Sequence, residues 1–191
     1  MTRILARLAA ADAAALLAAL AVGLLSWLRG GLRDPDDALS YPLHLYLGLF
    51  AILFNLGLHC LVFIYFLGTG RWVKEVALAY RLPDDPLPRR TRDLKRATFP
   101  PALLAMLVPI AAAAAGMAQL QQYGPWAGPL HAGLALATLA VNAWALRVEY
   151  RNVAVNGEVI DRVMHEVERI RAERGLPTNE EAWKQNDGMA G

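Results

Sequence analysis

The chain has 191 residues, of which 56% are hydrophobic and 19% charged, with a net charge of +2 and a mean hydropathy of +0.30. The apolar residues form long blocks, which excludes a disordered chain and a basic nucleic-acid-binding domain. The single cysteine, Cys60, excludes an intramolecular disulfide framework and a cysteine metal cluster. We therefore expect a membrane protein whose partner is the lipid bilayer and not nucleic acid.

Four apolar segments are long enough to cross a bilayer, which takes about 20 residues. They lie at residues 8–28, 43–67, 102–120 and 129–148. The first segment follows two arginines, but no small-residue cleavage pattern ends it, so we interpret it as a mature helix and not as a signal peptide. The predicted fold class is all-α: an integral membrane four-helix bundle.

Basic residues are distributed unequally between the two ends of these helices. The N-terminus, the connection between helices 2 and 3 and the region after helix 4 hold 17 of them, against 2 in the other two connections. The positive-inside rule then places both termini in the cytoplasm. The short, Ala- and Arg-rich chain suits the inner (plasma) membrane of a bacterium.

The cytoplasmic segments show helical periodicity on both sides of a proline-rich stretch. Residues 71–80 predict a short amphipathic helix, and residues 157–175 predict a longer one that lies on the membrane or on a partner. Residues 81–101 hold five prolines and a basic run, so we expect a linker that contacts anionic lipid or a docked protein. Residues 176–191 are predicted to be a polar tail. The apolar stripe of the longer helix comprises Val159, Ile160, Val163, Met164, Val167 and Ile170.

An internal repeat relates helix 2 and its extension to helix 4. At an offset of 87 positions, eight identities occur without a gap over residues 42–76, and they include a paired Pro-Leu-His and a paired Asn. Helices 1 and 3 align only loosely, with Gly23 against Gly116. The pattern predicts duplication, with residues 1–80 and 102–175 related by a pseudo-two-fold axis along the membrane normal.

A polar stripe follows one face of helix 2 and one face of helix 4. Positions 4, 7 and 11 residues after a histidine share its side of a helix. The two faces hold His44, Gly48, Ala51 and Asn55, and His131, Ala135, Thr138 and Asn142, and Glu149 continues the second face at the cytoplasmic end. The histidines should share one depth, with the asparagines about 16 Å deeper. Because polar side chains are unfavourable against lipid, both faces should point into the bundle.

Three interpretations of this stripe stay open. In the first, helices 2 and 4 cross along the small residues, Asn55 bonds to Asn142, and the histidines are interfacial. In the second, His44 and His131 are the two axial ligands of a haem b close to the outer surface. In the third, the two histidines bind another metal ion with carboxylates of the outer loop. The carboxylates of that loop belong to Asp34, Asp36 and Asp37.

A second polar pair is expected in the inner half of the bilayer. Asp12 interrupts an alanine run in helix 1, and His59 lies at a similar level in helix 2, one turn from Asn55. We expect a contact between Asp12 and His59, which either holds helix 1 to helix 2 or handles protons beside a quinone or substrate pocket. The complete predicted network is Asp12, Asn55, His59, Thr138 and Asn142.

The leading functional hypothesis is a small haem-binding or redox-accessory membrane protein that uses His44 and His131 in electron transfer. The alternative is a non-catalytic scaffold or accessory subunit that binds a membrane or cytoplasmic protein through the basic loop and the C-terminal helix. A third hypothesis, a small transporter that uses Asp12, Asn55 and His59, would require homo-oligomerisation. Since no nucleophile elbow, HExxH motif or phosphate loop is present, the sequence does not decide whether the protein is an enzyme.

Overall fold

The computed structural model describes residues 1–30, 39–182 and 184, and 88% of these are helical with no strand among them. The four long helices are α1 (Thr2–Leu28), α2 (Ser40–Tyr80), α3 (Leu87–Leu120) and α4 (Ala127–Glu173). Each is long and apolar enough to cross a membrane. The prediction of an all-helical, multi-pass membrane protein is therefore confirmed.

The helices pack as a ring of four antiparallel neighbours. α1 packs on α2 and α3 on α4, contacts between α2 and α3 and between α1 and α4 close the ring, and α2 meets α4 across the diagonal. We call the end at which α2 and α4 begin the histidine end, and the end at which they finish the basic end. Large apolar side chains on the outside, such as Leu53, Ile64 and Leu136, are 60–65% exposed. A bilayer would cover these side chains.

The helices extend further at the basic end than the sequence predicted. Residues 71–80 are the last part of the 41-residue α2, and residues 157–173 are the last part of the 47-residue α4, so neither segment is a separate helix. Periodicity reveals an apolar face but not a break, and a helix of 47 residues is about 70 Å long. Both helices therefore continue past the predicted membrane segments, which end at residues 67 and 148.

The valines of the apolar stripe in the C-terminal segment are buried within the bundle, whereas Ile160, Met164 and Ile170 are partly exposed. Val159, Val163 and Val167 are at most 5% exposed. Val159 belongs to an apolar cluster in the half of the bundle nearer the basic end. The cluster is formed by Leu5, Leu58, Val62, Phe66, Leu94, Val153 and Val159.

The predicted linker is also mostly helical. α3 begins at Leu87, so only residues 81–86 connect it to α2. Pro88 lies in the first turn, where a missing N–H breaks no helical bond, and Pro100 and Pro101 lie within the helix. Inward-facing Thr91 and Thr98 are at most 2% exposed. Packing against the neighbouring helices thus overrides the prolines that suggested an irregular segment.

Candidate functional site

His44 and His131 face each other across the α2–α4 diagonal at the histidine end. Their ring centroids are 5.9 Å apart and their ring planes make an angle of 74°. Each is the fifth residue of its helix, as counted from Ser40 and from Ala127. The structure thus brings the two predicted ligands together at one level of the bundle.

A backbone carbonyl of a neighbouring helix holds each imidazole in the same way. Nδ1 of His44 lies 3.0 Å from the oxygen of Ala19, and Nδ1 of His131 lies 2.8 Å from the oxygen of Ala112. Because a carbonyl can only accept, Nδ1 carries the hydrogen in both rings. The neutral rings therefore keep a lone pair on Nε2, the arrangement found in histidines that bind metals.

Two glycines give the imidazoles access to these carbonyls. A Cβ added to Gly23 would lie 2.6 Å from Cε1 of His44, and one added to Gly116 would lie 3.0 Å from Cε1 of His131. Each glycine is four residues after the accepting alanine, so it stands over that carbonyl in the helix. The loose sequence match between the two glycines therefore corresponds to one shared structural role.

One turn below His44, the predicted close crossing of α2 and α4 is not present at Gly48. A Cβ added to Gly48 would meet no atom within 4 Å. Two turns below, Ala51 is 1% exposed and belongs to an apolar cluster. That cluster comprises Leu16, Ala19 and Ala51, with Ala15, Leu47 and Leu139 packed against it. The small residue at 48 thus leaves open space beside the histidine pair, and an apolar layer lies beneath it.

The two asparagines meet deeper in the bundle, together with the aspartate of α1. The side-chain amide of Asn55 donates to Oδ2 of Asp12 at 3.1 Å and to Oδ1 of Asn142. All three side chains are at most 2% exposed. Asn55 and Asn142 are 87 positions apart, as are the two histidines and the bonded pair Thr69 and Asn156. These contacts join positions that the repeat alignment equates, while the duplication itself stays a prediction.

Backbone carbonyls fix the orientation of the Asn142 amide. Its Nδ2 donates to the carbonyl of Thr138 at 2.9 Å and lies 3.4 Å from the carbonyl of Ala105. The Ala105 carbonyl lacks its helical partner because that partner would be the absent N–H of Pro109. The Asn142 oxygen is thereby directed at the centre of the cluster. Thr138 joins the network only through its backbone.

Glu149 is the direct carboxylate partner of His59, which corrects the predicted Asp12–His59 contact. Nδ1 of His59 lies 2.6 Å from Oε1 of Glu149, and Nε2 lies 2.8 Å from Oδ1 of Asn142. The amide nitrogen of Asn55 donates to Oδ2 of Asp12 and lies 3.4 Å from Nε2 of His59, so Asn55 separates the aspartate from the histidine. The sequence contained a signal for Glu149, since it is seven residues after Asn142 and therefore on the same face of α4.

Further polar contacts continue from Glu149 toward the basic end, and the sequence analysis missed them. Asn152 donates to the hydroxyl of Thr98 at 2.9 Å. Asn156 donates to the hydroxyls of Tyr65 and Thr69 at 3.2 and 3.1 Å. Tyr65 lies in the last turn of the predicted membrane segment 43–67 and Thr98 in the predicted linker. The other three residues, Thr69, Asn152 and Asn156, lie between a predicted membrane segment and a predicted amphipathic helix.

Comparisons with known proteins add no family to this description. No protein-family model matches the chain, and the searches of curated proteins and of solved structures find no significant match. Within the described residues, no group of three or more His, Cys, Asp or Glu side chains is placed to hold a metal ion. The predicted loop carboxylates Asp34, Asp36 and Asp37 lie outside the described residues. The histidine pair and the buried cluster are therefore the features of the described residues that point to a function.

Proposed function

We propose that this multi-pass membrane protein binds one haem b between His44 and His131 and takes part in electron transfer. The observation that carries the proposal is the pair of imidazoles, 5.9 Å apart, each with Nδ1 held by a carbonyl. With metal–nitrogen distances of about 2.0–2.1 Å, two imidazoles on opposite sides of one metal have centroids about 6 Å apart. The centroid separation of the pair is thus compatible with two axial ligands of one metal.

A planar group would need space next to the pair. The open space at Gly48 adjoins His44 on the same face of α2. Since the pair lies in the second turn of each helix, the charged edge of a haem would reach the polar surface at the histidine end. A haem iron with two histidine ligands has no open coordination position, so it supplies electron exchange and not substrate binding.

The orientation in the membrane is part of the proposal. We infer that the basic end faces the cytoplasm and the histidine end faces the outside of a bacterial inner membrane, because basic residues are concentrated at the former end. The haem would then lie near the outer surface.

The alternative of a scaffold or accessory subunit was based on the basic loop and on the C-terminal helix, and the structure weakens the case for the C-terminal helix. Its C-terminal apolar stripe is occupied within the bundle, since Val163 is fully buried. Partner binding would have to use the exposed basic surface, on which Arg71 and Arg169 already pair with neighbouring glutamates. The histidine pair has no role in that alternative.

The test is a reduced-minus-oxidised visible spectrum of the detergent-purified protein, expressed with haem supplied. We expect a sharp α-band of the b type in the wild type and its loss in both His44→Ala and His131→Ala. A colourless protein that is well folded would refute the proposal.

A matched pair of glycine variants examines the position of the macrocycle. Gly48→Leu fills the open space beside the histidine pair, so we expect lower haem occupancy with an unchanged fold. Gly133→Leu is the control, because a Cβ at Gly133 also meets no atom within 4 Å but the residue is on the exposed side of α4. Equal occupancy in the two variants would exclude a haem next to Gly48.

A further inference from the structure

The buried cluster around His59 has more hydrogen-bond acceptors than donors. Both ring nitrogens of His59 face oxygen atoms, Oε1 of Glu149 at 2.6 Å and Oδ1 of Asn142 at 2.8 Å. The Asn142 oxygen cannot be exchanged for its amide nitrogen, because that nitrogen already donates to the carbonyl of Thr138. Each of the two contacts therefore needs a hydrogen between its heavy atoms.

A neutral imidazole beside an ionised carboxylate supplies only one of these two hydrogens. If the single hydrogen is on Nε2, the bare Nδ1 faces Oε1 of Glu149, and if it is on Nδ1, the bare Nε2 faces Oδ1 of Asn142. In both cases two lone pairs face each other, which is unfavourable in a buried site. The observed geometry thus requires one additional proton on the His59–Glu149 pair. That proton either makes His59 an imidazolium or makes Glu149 a carboxylic acid, and the two forms interconvert by one transfer across the 2.6 Å contact.

From these contacts we propose that His59 and Glu149 form a proton-binding site inside the bundle, which loads and releases one proton. In the loaded state, Nε2–H donates to Asn142. In the unloaded state, the pair carries a net charge of −1, and the bare Nε2 accepts from the amide of Asn55, which lies 3.4 Å away. The Asn55 amide has two hydrogens, which now go to Asp12 and Asn142, so it must give up one of these bonds to donate to Nε2 in the unloaded state.

Three helices other than α2 contribute polar groups around His59, and two of these groups are carboxylates. Asp12 of α1 contacts Asn55, Glu149 of α4 contacts His59 directly, and α3 contributes the carbonyl of Ala105 behind Asn142. One oxygen of Asp12 and one of Glu149 are buried with no hydrogen-bond partner. Buried carboxylates are unfavourable when they carry a charge, and a proton on the His59–Glu149 pair lowers the net negative charge beside these oxygens.

The proton exchanges with water at the basic end. Toward the histidine end, the apolar layer that includes Leu16 and Ala51 separates the site from the histidine pair. Toward the basic end, Val62, Phe66 and Val153 belong to a second apolar cluster, and Tyr65, packed against it, and Thr69 accept from Asn156. These polar groups beside the cluster assign proton uptake to the basic end, and the site does not require a haem.

The test is ¹⁵N NMR of the full chain with labelled histidine, in detergent or nanodiscs, as a function of pH. We expect the His59 ring to carry hydrogens on both nitrogens at low pH and to lose one reversibly as the pH rises, while the protein stays folded. Glu149→Gln should leave the ring with a single hydrogen throughout. Glu158→Gln, at an exposed carboxylate of the same helix, is the control and should reproduce the wild-type titration.

Several results would overturn the proposal, and the first needs only the wild type. A His59 ring with one bare nitrogen at every pH, or with two hydrogens that are never lost from the folded protein, rules out reversible loading. A titration that moves with sodium concentration assigns the site to a metal cation instead.

The route is tested by hydrogen–deuterium exchange at the His59 ring. Asn156→Leu should slow this exchange at least tenfold, whereas Asn152→Leu, which removes a contact to Thr98 of α3, should not. Equal rates in the two variants refute access from the basic end.

Discussion

The glycine beneath each imidazole offers the sharpest prediction about the histidine pair. In Gly23→Ala the new Cβ would lie 2.6 Å from Cε1 and 2.7 Å from Nδ1 of His44. Carbon atoms pack at about 3.5–4.0 Å, so the ring must move by about 1 Å and lose its bond to the Ala19 carbonyl. The lost hydrogen bond costs about 0.5–1.5 kcal/mol and the overpacking about 1–3 kcal/mol.

The expected effect is a ranking of three variants in the free energy of unfolding. Gly133→Ala meets no atom within 4 Å and gains up to about 1 kcal/mol from helix propensity. Relative to that control, Gly23→Ala should be destabilised by about 2–4 kcal/mol. Gly116→Ala should fall between them, because its Cβ would lie 3.0 Å from Cε1 of His131.

The assay is reversible unfolding in mixed micelles, followed by circular dichroism. In a His44→Ala background the effect of Gly23→Ala should largely disappear, since the ring that the Cβ meets is absent. A steric clash between the new Cβ and His44 is refuted if the unfolding free energies of Gly23→Ala and Gly133→Ala agree within about 0.5 kcal/mol. It is also refuted if Gly23→Ala destabilises the protein equally in the His44→Ala background.

Three further predictions concern the basic end and the topology. Two hydrogen bonds from Arg92 lower the pKa of Asp84 below its ordinary value of 3.8. The contribution of this pair to the free energy of unfolding is therefore fully present above pH 3.8 and is lost as the pH falls through the lower pKa of Asp84 in the folded protein. Carboxyl ¹³C NMR should show this titration, and Arg92→Gln should return it toward 3.8. Val163→Ala should cost about 2 kcal/mol of unfolding free energy if the stripe packs in the bundle, against less than about 0.5 kcal/mol at an exposed position of the same helix. In a cysteine-free background, a membrane-impermeant maleimide should label Gln122→Cys in intact cells and Glu173→Cys only after permeabilisation; the reverse pattern would invert the proposed orientation.

Much of the architecture follows from the sequence alone. Apolar blocks long enough to span a bilayer predict the number of membrane helices, since backbone polar groups in lipid must bond within the segment. The 3.6-residue period places His44 and Asn55 on one face of α2, and His131 and Asn142 on one face of α4. Because polar side chains avoid lipid, these faces were expected to turn inward, and the structure brings the residues together.

The sequence did not show where the helices end at the basic side. An apolar stripe can pack on lipid, on a partner or on other helices, and the pattern of the stripe is the same in each case. Val163 is fully buried in the extension of α4, at the end of the bundle where α2 also extends and α3 begins early. What the apolar stripe contacts therefore depends on the relative positions of the end of α2, the start of α3 and the end of α4, which are distant in sequence.

The partners of the site side chains were decided by the tertiary structure for a similar reason. Helical periodicity fixes the direction of a side chain but not the residue that stands opposite, which depends on how each helix is shifted along and rotated about its axis. His59 therefore bonds to Glu149 and not to Asp12. The acceptors on Ala19 and Ala112 are backbone atoms that no side-chain pattern encodes. Periodicity within the apolar blocks was enough to place Asp12, Asn55, His59 and Asn142 inside the bundle, but burial of Asn152 and Asn156 and the partner of every buried side chain depend on the packing of four helices.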